Sequence, residues 1–120
     1  MKNTKASSLV IVRPTLLDNR ICDAPVKIKS TAIFTTNNRL TTGALRALKD
    51  RPDPPALIGF DDFDLADVIG TTVVAHDMTA MGREAARLAH ARISGDDSPA
   101  RTVVISTSVI PRGSGERSPQ

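Results

Sequence analysis

The chain has 120 residues, of which 40% are apolar and 24% charged, close to the average of soluble globular proteins. These values exclude a disordered polyelectrolyte and allow one ordinary domain. The net charge is +3 at pH 7, but residues 1–30 carry six Lys or Arg against two Asp, whereas residues 31–100 carry seven against ten Asp or Glu. Because the middle of the chain is acidic and the basic charge lies toward its ends, the charge pattern does not predict direct contact with nucleic acid.

Other compositional features limit the function further. Cys22 is the only cysteine, so neither an internal disulfide nor a cysteine-based zinc site can form. Aromatic residues make up 2% of the chain, which argues against a stacking platform for single strands or an aromatic sugar-binding cleft built by this chain alone. The apolar runs are too short for a membrane span, and no signal-type region follows Met1–Lys5, so a cytoplasmic location is expected.

The first half of the chain alternates between short apolar runs and one helical pattern. Leu9–Val12 and Thr31–Thr36 are predicted strands, separated by a stretch with no clear period. Residues 40–48 repeat apolar side chains at helical spacing, with Lys49 in the last turn and Pro52 beyond it. Ala56–Phe60 is predicted as the next strand, entered through two prolines.

The second half continues the alternation. The acidic turn Asp61–Asp64 leads into a short helix-like piece, Leu65–Ile69, and Thr71–Ala75 is a predicted strand. A helix then begins after Asp77, a suitable N-cap, and ends before Gly95. A last strand is predicted over Thr102–Ile110, and residues 111–120 are expected to form a disordered tail.

Strands alternating with helices predict the α/β class with a mostly parallel sheet. In such sheets ligands bind at the carboxyl ends of the strands, which directs attention to Asn37-Asn38, Asp61–Asp64 and His76-Asp77. The two asparagines either cap the following helix or, in addition, contact a ligand. The Asp61–Asp67 cluster suits Mg²⁺ or Ca²⁺ by its oxygen atoms, but it lacks the EF-hand glycine and glutamate, and a solvated acidic turn is favoured.

Catalytic patterns are weak. His76 and His90 are the natural general bases, but His90 falls in mid-helix between two alanines. No Gly-x-Ser-x-Gly nucleophile elbow and no glycine-rich phosphate loop is present. The sequence therefore argues against an enzyme and predicts no cofactor and no metal.

Four ordered segments together resemble the C-terminal part of the lac repressor (LacI/GalR) family of bacterial transcriptional regulators. Residues 31–48 resemble the family's strand, Ala-Asn-Asp turn and Gly-Ala-Leu-Arg-Ala helix, and residues 57–62 its Val-Gly-Phe-Asp-Asp strand end. Residues 72–86 are similar to its Thr-Val strand and Met-Gly-Arg helix. Residues 103–114 resemble its closing strand with an Arg-Gly-Ser ending.

The resemblance implies an effector-sensing domain of the type I periplasmic-binding-protein-like fold, with two lobes around a small molecule such as a sugar or nucleoside, and homodimerisation. It assigns ligand contacts to Asn38, His76 and Met78, and an interlobe crossover to Asp61, Asp62 and Phe63. Asn38 departs from the family's Asp, since an amide cannot offer a charged acceptor to sugar hydroxyls.

Only about the last third of such a regulator is matched. Residues 1–30 match nothing that can be assigned, residues 31–110 form the partial effector domain, and the DNA-binding headpiece is absent from this sequence. The expected function is effector sensing within a regulator. The alternatives are a stand-alone sugar-binding module of the same fold and a truncated remnant without activity, and a partial sheet with open edges is expected to expose apolar surface.

Overall fold

The computed structural model describes residues 9–12 and 30–118, and it contains the expected alternation of strands and helices. Residues 13–29, where the sequence has no clear period, lie outside the described residues. The elements are β1 (Leu9–Val12), β2 (Ala32–Thr35), α1 (Asn38–Leu48), β3 (Ala56–Phe60), β4 (Thr72–His76), α2 (Met78–Ile93) and β5 (Thr107–Ile110).

The strands form one sheet in the order β1-β2-β3-β4-β5, and β1 to β4 are parallel. Ile33 is in register with Leu57, and Thr35 with Gly59, so the side chains of β2 and β3 alternate together between the two faces. The mostly parallel α/β sheet predicted from the sequence is confirmed. Because β2, β3 and β4 run in the same direction, the loops that follow them begin at the same edge of the sheet.

Helix α1 covers one face of β2 and β3. Ala44 and Leu48 lie one turn apart on its inner side and pack on Ile33 and Leu57, which are 2% and 1% exposed. The spacing that predicted the helix is therefore also the spacing that buries it. Burial of these side chains is the main apolar contribution to the stability of this part of the sheet.

The described residues fall into two compact units. The first contains those up to Ala75 and those from Val109 onward, and the second is His76–Ser108. The chain thus passes between units near residues 75 and 108, whereas Asp61, Asp62 and Phe63 lie within the first unit. The predicted crossover at Asp61–Phe63 is wrong, because the hydrogen bond from Asp61 N to Val74 O, 3.0 Å long, joins that turn to the next strand of the same unit.

The helix-like piece Leu65–Ile69 is a single helical turn. Leu65 has a φ of 71°, which prevents the turn from extending backward as a helix, and Gly70 has a φ of 68°. Thr71 N donates to Ala66 O at 2.8 Å and Gly70 N to Asp67 O at 3.3 Å, the pair of bonds that ends a helix in a Schellman motif. The turn buries Ala66 and leaves Leu65, Val68 and Ile69 exposed.

The last predicted strand is shorter than expected. Regular strand structure begins at Thr107, and residues 101–106 have none. Val103 and Val104 are 42% and 85% exposed. The β-branched run predicted a strand over Thr102–Ile110, but only its end belongs to the sheet, because β propensity depends on neighbours to pack against.

The disordered tail predicted from Pro111 is wrong for the described residues that follow it. Ser114 is 4% exposed and binds residues near the start of two strands. Its Oγ accepts from Thr72 N at 2.8 Å and donates to Leu57 O at 2.6 Å. Its backbone N donates to Gly70 O at 3.1 Å, and its carbonyl accepts from Leu57 N at 2.8 Å. Four bonds from one residue order this segment.

Replacing Ser114 with alanine is expected to destabilise the first unit. The change leaves Thr72 N without its partner inside the protein, and an unsatisfied buried group costs about 1–3 kcal/mol. Urea unfolding of the 120-residue chain measures the loss. Ser106→Ala is the matched control, because Ser106 is exposed, and its free energy of unfolding is expected to change by less than about 0.5 kcal/mol. Equal effects of the two changes would contradict the role given to Ser114.

Candidate functional site

Two neighbouring asparagines follow β2, and they have different positions at the start of α1. Asn37 is the N-cap of α1, and its Oδ1 accepts from Leu40 N at 2.9 Å. Asn38 is the first residue of the helix and its side chain is exposed. The sequence left capping and ligand contact open for this pair. The structure assigns the cap to Asn37, which leaves the Asn38 amide free of that task.

The first turn of α1, which begins at Asn38, contacts the sheet through polar groups. Thr35 and Thr41 are both 0% exposed, and their hydroxyl oxygens lie 2.7 Å apart. Thr41 Oγ1 also donates to Asn37 O at 2.9 Å. Gly59 lies beside Thr35 on β3, and a Cβ there would stand 2.6 Å from Thr41 Oγ1. The helix N-terminus can therefore reach this position only because residue 59 is glycine.

The turn after β3 is held by an ion pair. Arg112 donates two hydrogen bonds to the Asp62 carboxylate, at 2.7 and 2.8 Å. The hydrogen bond from Arg112 lowers the pKa of Asp62 below its ordinary value, against the smaller opposing effect of burial. Asp62 thus acts as a structural carboxylate, which fits the solvated-turn interpretation of the acidic cluster better than a metal site.

A second carboxylate fixes the same closing segment. Glu116 accepts from Thr72 Oγ1 at 2.8 Å and from Gly113 N at 2.8 Å. The bond from Thr72 is the largest cause of a lowered pKa of Glu116. Gly115 lies so close to the sheet that a Cβ there would meet Ile58 Cγ1 at 2.8 Å. The segment is therefore tied to the sheet on both sides of Ser114.

His76 and Met78 lie in the second unit. His76 is the last residue of β4 and is partly buried, and Met78 begins α2 and is 66% exposed. Asp77 between them caps α2 as predicted, since its Oδ1 accepts from Ala80 N at 2.8 Å. Gly95 follows the helix with a φ of 93°, also as predicted. None of the sixteen residues of α2 is buried.

The clefts within the second unit are small. One lies between α2 and the residues that follow it, where Leu88 and Met81 face Val103 and Ile105, and has a volume of about 150 Å³. Another of about 150 Å³ lies beside Arg92 and Arg101. Ligand sites usually occupy roughly 300–1,000 Å³, so neither cleft accommodates a typical small molecule by itself.

Three further features of the sequence bear on function: metal-ligating side chains, apolar helices and His90. Within residues 9–12 and 30–118, no three His, Cys, Asp or Glu side chains are grouped as a metal would need. In the same ranges, no helix has the length and apolar character to span a bilayer. His90 lies on the exposed surface of α2.

Sequence reasoning missed two contacts near these loops. Arg112 and Asp62 are 50 positions apart, and Thr41 and Gly59 meet only through the packing of α1 on β3. Spacing in the sequence carries no signal for either contact. The Arg-Gly-Ser ending was visible as a resemblance, but its hydrogen bonds to the sheet were not.

Comparison with known proteins identifies the fold family. The family model described as "Periplasmic binding protein-like domain" matches residues 3–115. The HTH-type transcriptional regulator PtxS of Pseudomonas aeruginosa is 35% identical over 89 residues, which are 69% of this chain and 26% of PtxS.

Solved structures of regulators share the fold. A transcription regulator from Staphylococcus saprophyticus subsp. saprophyticus matches 72% of this chain with a TM-score of 0.63 and 29% identity. The Escherichia coli transcriptional repressor ascG matches 70% with a TM-score of 0.51 and 32% identity. This chain covers 33% of each of those two structures, and it spans about a quarter of PtxS.

The Asp62–Arg112 pair is expected to make stability depend on pH. Since the folded-state pKa of Asp62 is lowered, its contribution is fully present above the ordinary pKa of aspartate, about 3.9, and is lost as the pH falls through the folded value. Asp62→Asn should therefore lower the melting temperature at pH 7, and the difference from the unchanged protein should shrink below about pH 4. Asp64→Asn, which removes a neighbouring exposed carboxylate, is the control. A difference that stays constant down to pH 2 would contradict the pair.

Proposed function

The chain belongs to the periplasmic binding protein-like domain family, and from this premise we propose that it is the effector-binding part of a lac repressor type transcriptional regulator. The similarity to PtxS and to the two regulators of known structure supports this proposal. The effector is a small molecule of the sugar or nucleoside class, bound in the cytoplasm. This chain does not itself contact DNA.

The observation that carries the proposal is the exposed amide of Asn38. It follows β2 at the edge of the sheet where ligands of parallel α/β sheets bind, and it has no capping task because Asn37 performs it. An amide both donates and accepts hydrogen bonds, as the hydroxyl groups of a sugar or a ribose require. Asn38 is therefore the proposed effector contact of the first unit.

On the second unit, the proposed effector contacts are His76 and Met78. Met78 is exposed at the start of α2, and its flexible thioether side chain adapts to ligand shape. In the intact regulator, the effector would bind one conformation more tightly than another and so shift the population of DNA-binding-competent protein. These contacts rest on the resemblance of residues 72–86 to the family.

A remnant without activity is the second candidate. It is favoured by the exposure of α2, which buries none of its residues and so gains little from packing. Effector binding by the chain separates the two candidates, because a remnant has no reason to keep a ligand-competent surface.

Asn38→Ala is expected to weaken effector binding without destabilising the protein. The melting temperature of the 120-residue chain is recorded with a panel of monosaccharides and nucleosides, and bound compounds raise it. Loss of one hydrogen bond should weaken binding by about 1 kcal/mol, roughly fivefold in Kd.

Asn37→Ala is the matched control. It removes the cap, so it should lower the ligand-free melting temperature at a cost of about 1 kcal/mol while leaving the ligand-induced rise in place. An unchanged Kd in Asn38→Ala would remove Asn38 from the site. A panel in which no compound acts on the unchanged chain would favour the remnant.

We further propose that the chain forms a homodimer through the apolar side chains of the single helical turn, Leu65, Val68 and Ile69. They are 65%, 75% and 52% exposed and close together in sequence, and exposed apolar patches of this kind mark protein interfaces. Each would lose contact with water in a dimer.

The solution mass tests this surface. Light scattering of the chain is expected to give about twice 12.8 kDa. Val68→Asp should return the mass to that of one chain, because it places a charge in the interface next to Asp64 and Asp67. Val104→Asp, a change at an 85% exposed valine of the second unit, should not. A single-chain mass for the unchanged protein would contradict the dimer.

A further inference from the structure

Two threonines at the contact between α1 and the sheet form a buried polar pair. Thr35 on β2 and Thr41 on α1 are both 0% exposed, and the same elements, with β3, carry the apolar cluster of Ile33, Leu57 and Ala44. Apolar side chains of similar shape would fill the same space at no desolvation cost. Their hydroxyl groups therefore require an explanation other than burial of apolar surface.

The number of hydroxyl protons determines which threonine donates the hydrogen bond between Thr35 and Thr41. The two hydroxyls supply two protons, and the acceptors in reach are Asn37 O at 2.9 Å from Thr41, Ile58 O at 3.4 Å from Thr35, and the partner hydroxyl at 2.7 Å. Short hydrogen bonds are the strong ones, so Thr41 donates to Asn37 O and Thr35 donates to Thr41. A chain of bonds thus runs from β2 through Thr41 to the carbonyl of the N-cap residue.

The position of Thr41 is also fixed from the side of β3. Gly59 is the register partner of Thr35, and Thr41 Oγ1 occupies the space that a Cβ at Gly59 would need, 2.6 Å away. Thr41 is therefore held between a hydroxyl and the backbone of β3. Hydrogen bonds depend on direction as well as distance, whereas apolar contacts let a helix slide, so this contact sets the register of the first turn of α1 on the sheet.

We propose that Thr35 and Thr41 are positioning residues, which act through Asn37 to fix where the Asn38 amide is presented to the effector. This role rests on the proposed function of Asn38. Asn38 follows the anchored residue directly, so a displacement of the first turn moves it. The C-terminal half of α1 is held independently by Ala44 and Leu48.

The test compares Thr35→Val, Thr41→Val and the double variant in the 120-residue chain. Each single change breaks the bond between the two hydroxyls while the other hydroxyl stays buried, and it is expected to lower the melting temperature by several degrees. The double variant removes both hydroxyls and should return to within a few degrees of the unchanged protein. Losses that simply add would show that the threonines are not a pair and would overturn the proposal.

Amide hydrogen exchange then separates positioning from stability. In the double variant, exchange of the amides at positions 40 and 41, both bonded to Asn37 in the unchanged protein, should become at least tenfold faster, while that of residues 45–48 changes little. A uniform change along α1 would indicate a structural role alone, and no change in the first turn would show that the pair does not set its position. Either result overturns the proposal.

Thr42→Val is the matched control. Thr42 Oγ1 makes the same kind of bond, to Asn38 O at 3.0 Å, but on the exposed side of the helix. It should leave exchange in the first turn unchanged within a factor of about two. Any panel compound that raises the melting temperature of the unchanged chain should raise that of the double variant less. If no compound acts, the proposed function fails, and the exchange comparison still decides whether the threonines position the turn.

Discussion

The hydrogen bonds that Ser114 makes after the chain returns to its first unit are the constraint on which the described sheet depends. This unit combines residues up to Ala75 with residues from Val109 onward, so the sheet is complete only when the second stretch is in place. Ser114 uses its N–H, its carbonyl and its hydroxyl to meet Leu57, Gly70 and Thr72 at the starts of β3 and β4. Buried backbone groups must find partners, and here one residue from the far end of the chain supplies them.

Strand β3 is consequently fixed at both ends by short polar side chains. Ser114 holds its amino end at Leu57, and Thr41 meets its carboxyl end at Gly59. Between these points the contacts with β2 and α1 are apolar and centre on Leu57 and Ile33. Apolar packing supplies most of the free energy, and the directional bonds at the two ends define the position. The edge that carries Asn38 thus lies beside a strand that is fixed at both of its ends.

The sequence was most informative where one physical cause determines the local structure. Asp77 and Gly95 marked the ends of α2 because capping and left-handed termination are local. The sequence was least informative where contacts with distant parts of the chain determine the structure. The run Thr102–Ile110 has strand composition, yet only Thr107–Ile110 finds a partner strand. The asparagine pair was located correctly, but which residue caps the helix depended on where the first turn begins, to within one residue.

The two helices that carry the proposed effector contacts differ in how much of their surface is buried. Helix α1 buries Thr41, Gly43, Ala44 and Leu48, so Asn38 is presented by a helix that is already held in place. Helix α2 buries none of its residues, so it gains less from packing than α1 does. Under the proposed function, Asn38 is presented by the better-packed helix, so binding through it costs less ordering than binding through Met78. The first unit should accordingly contribute more of the net binding free energy than the second.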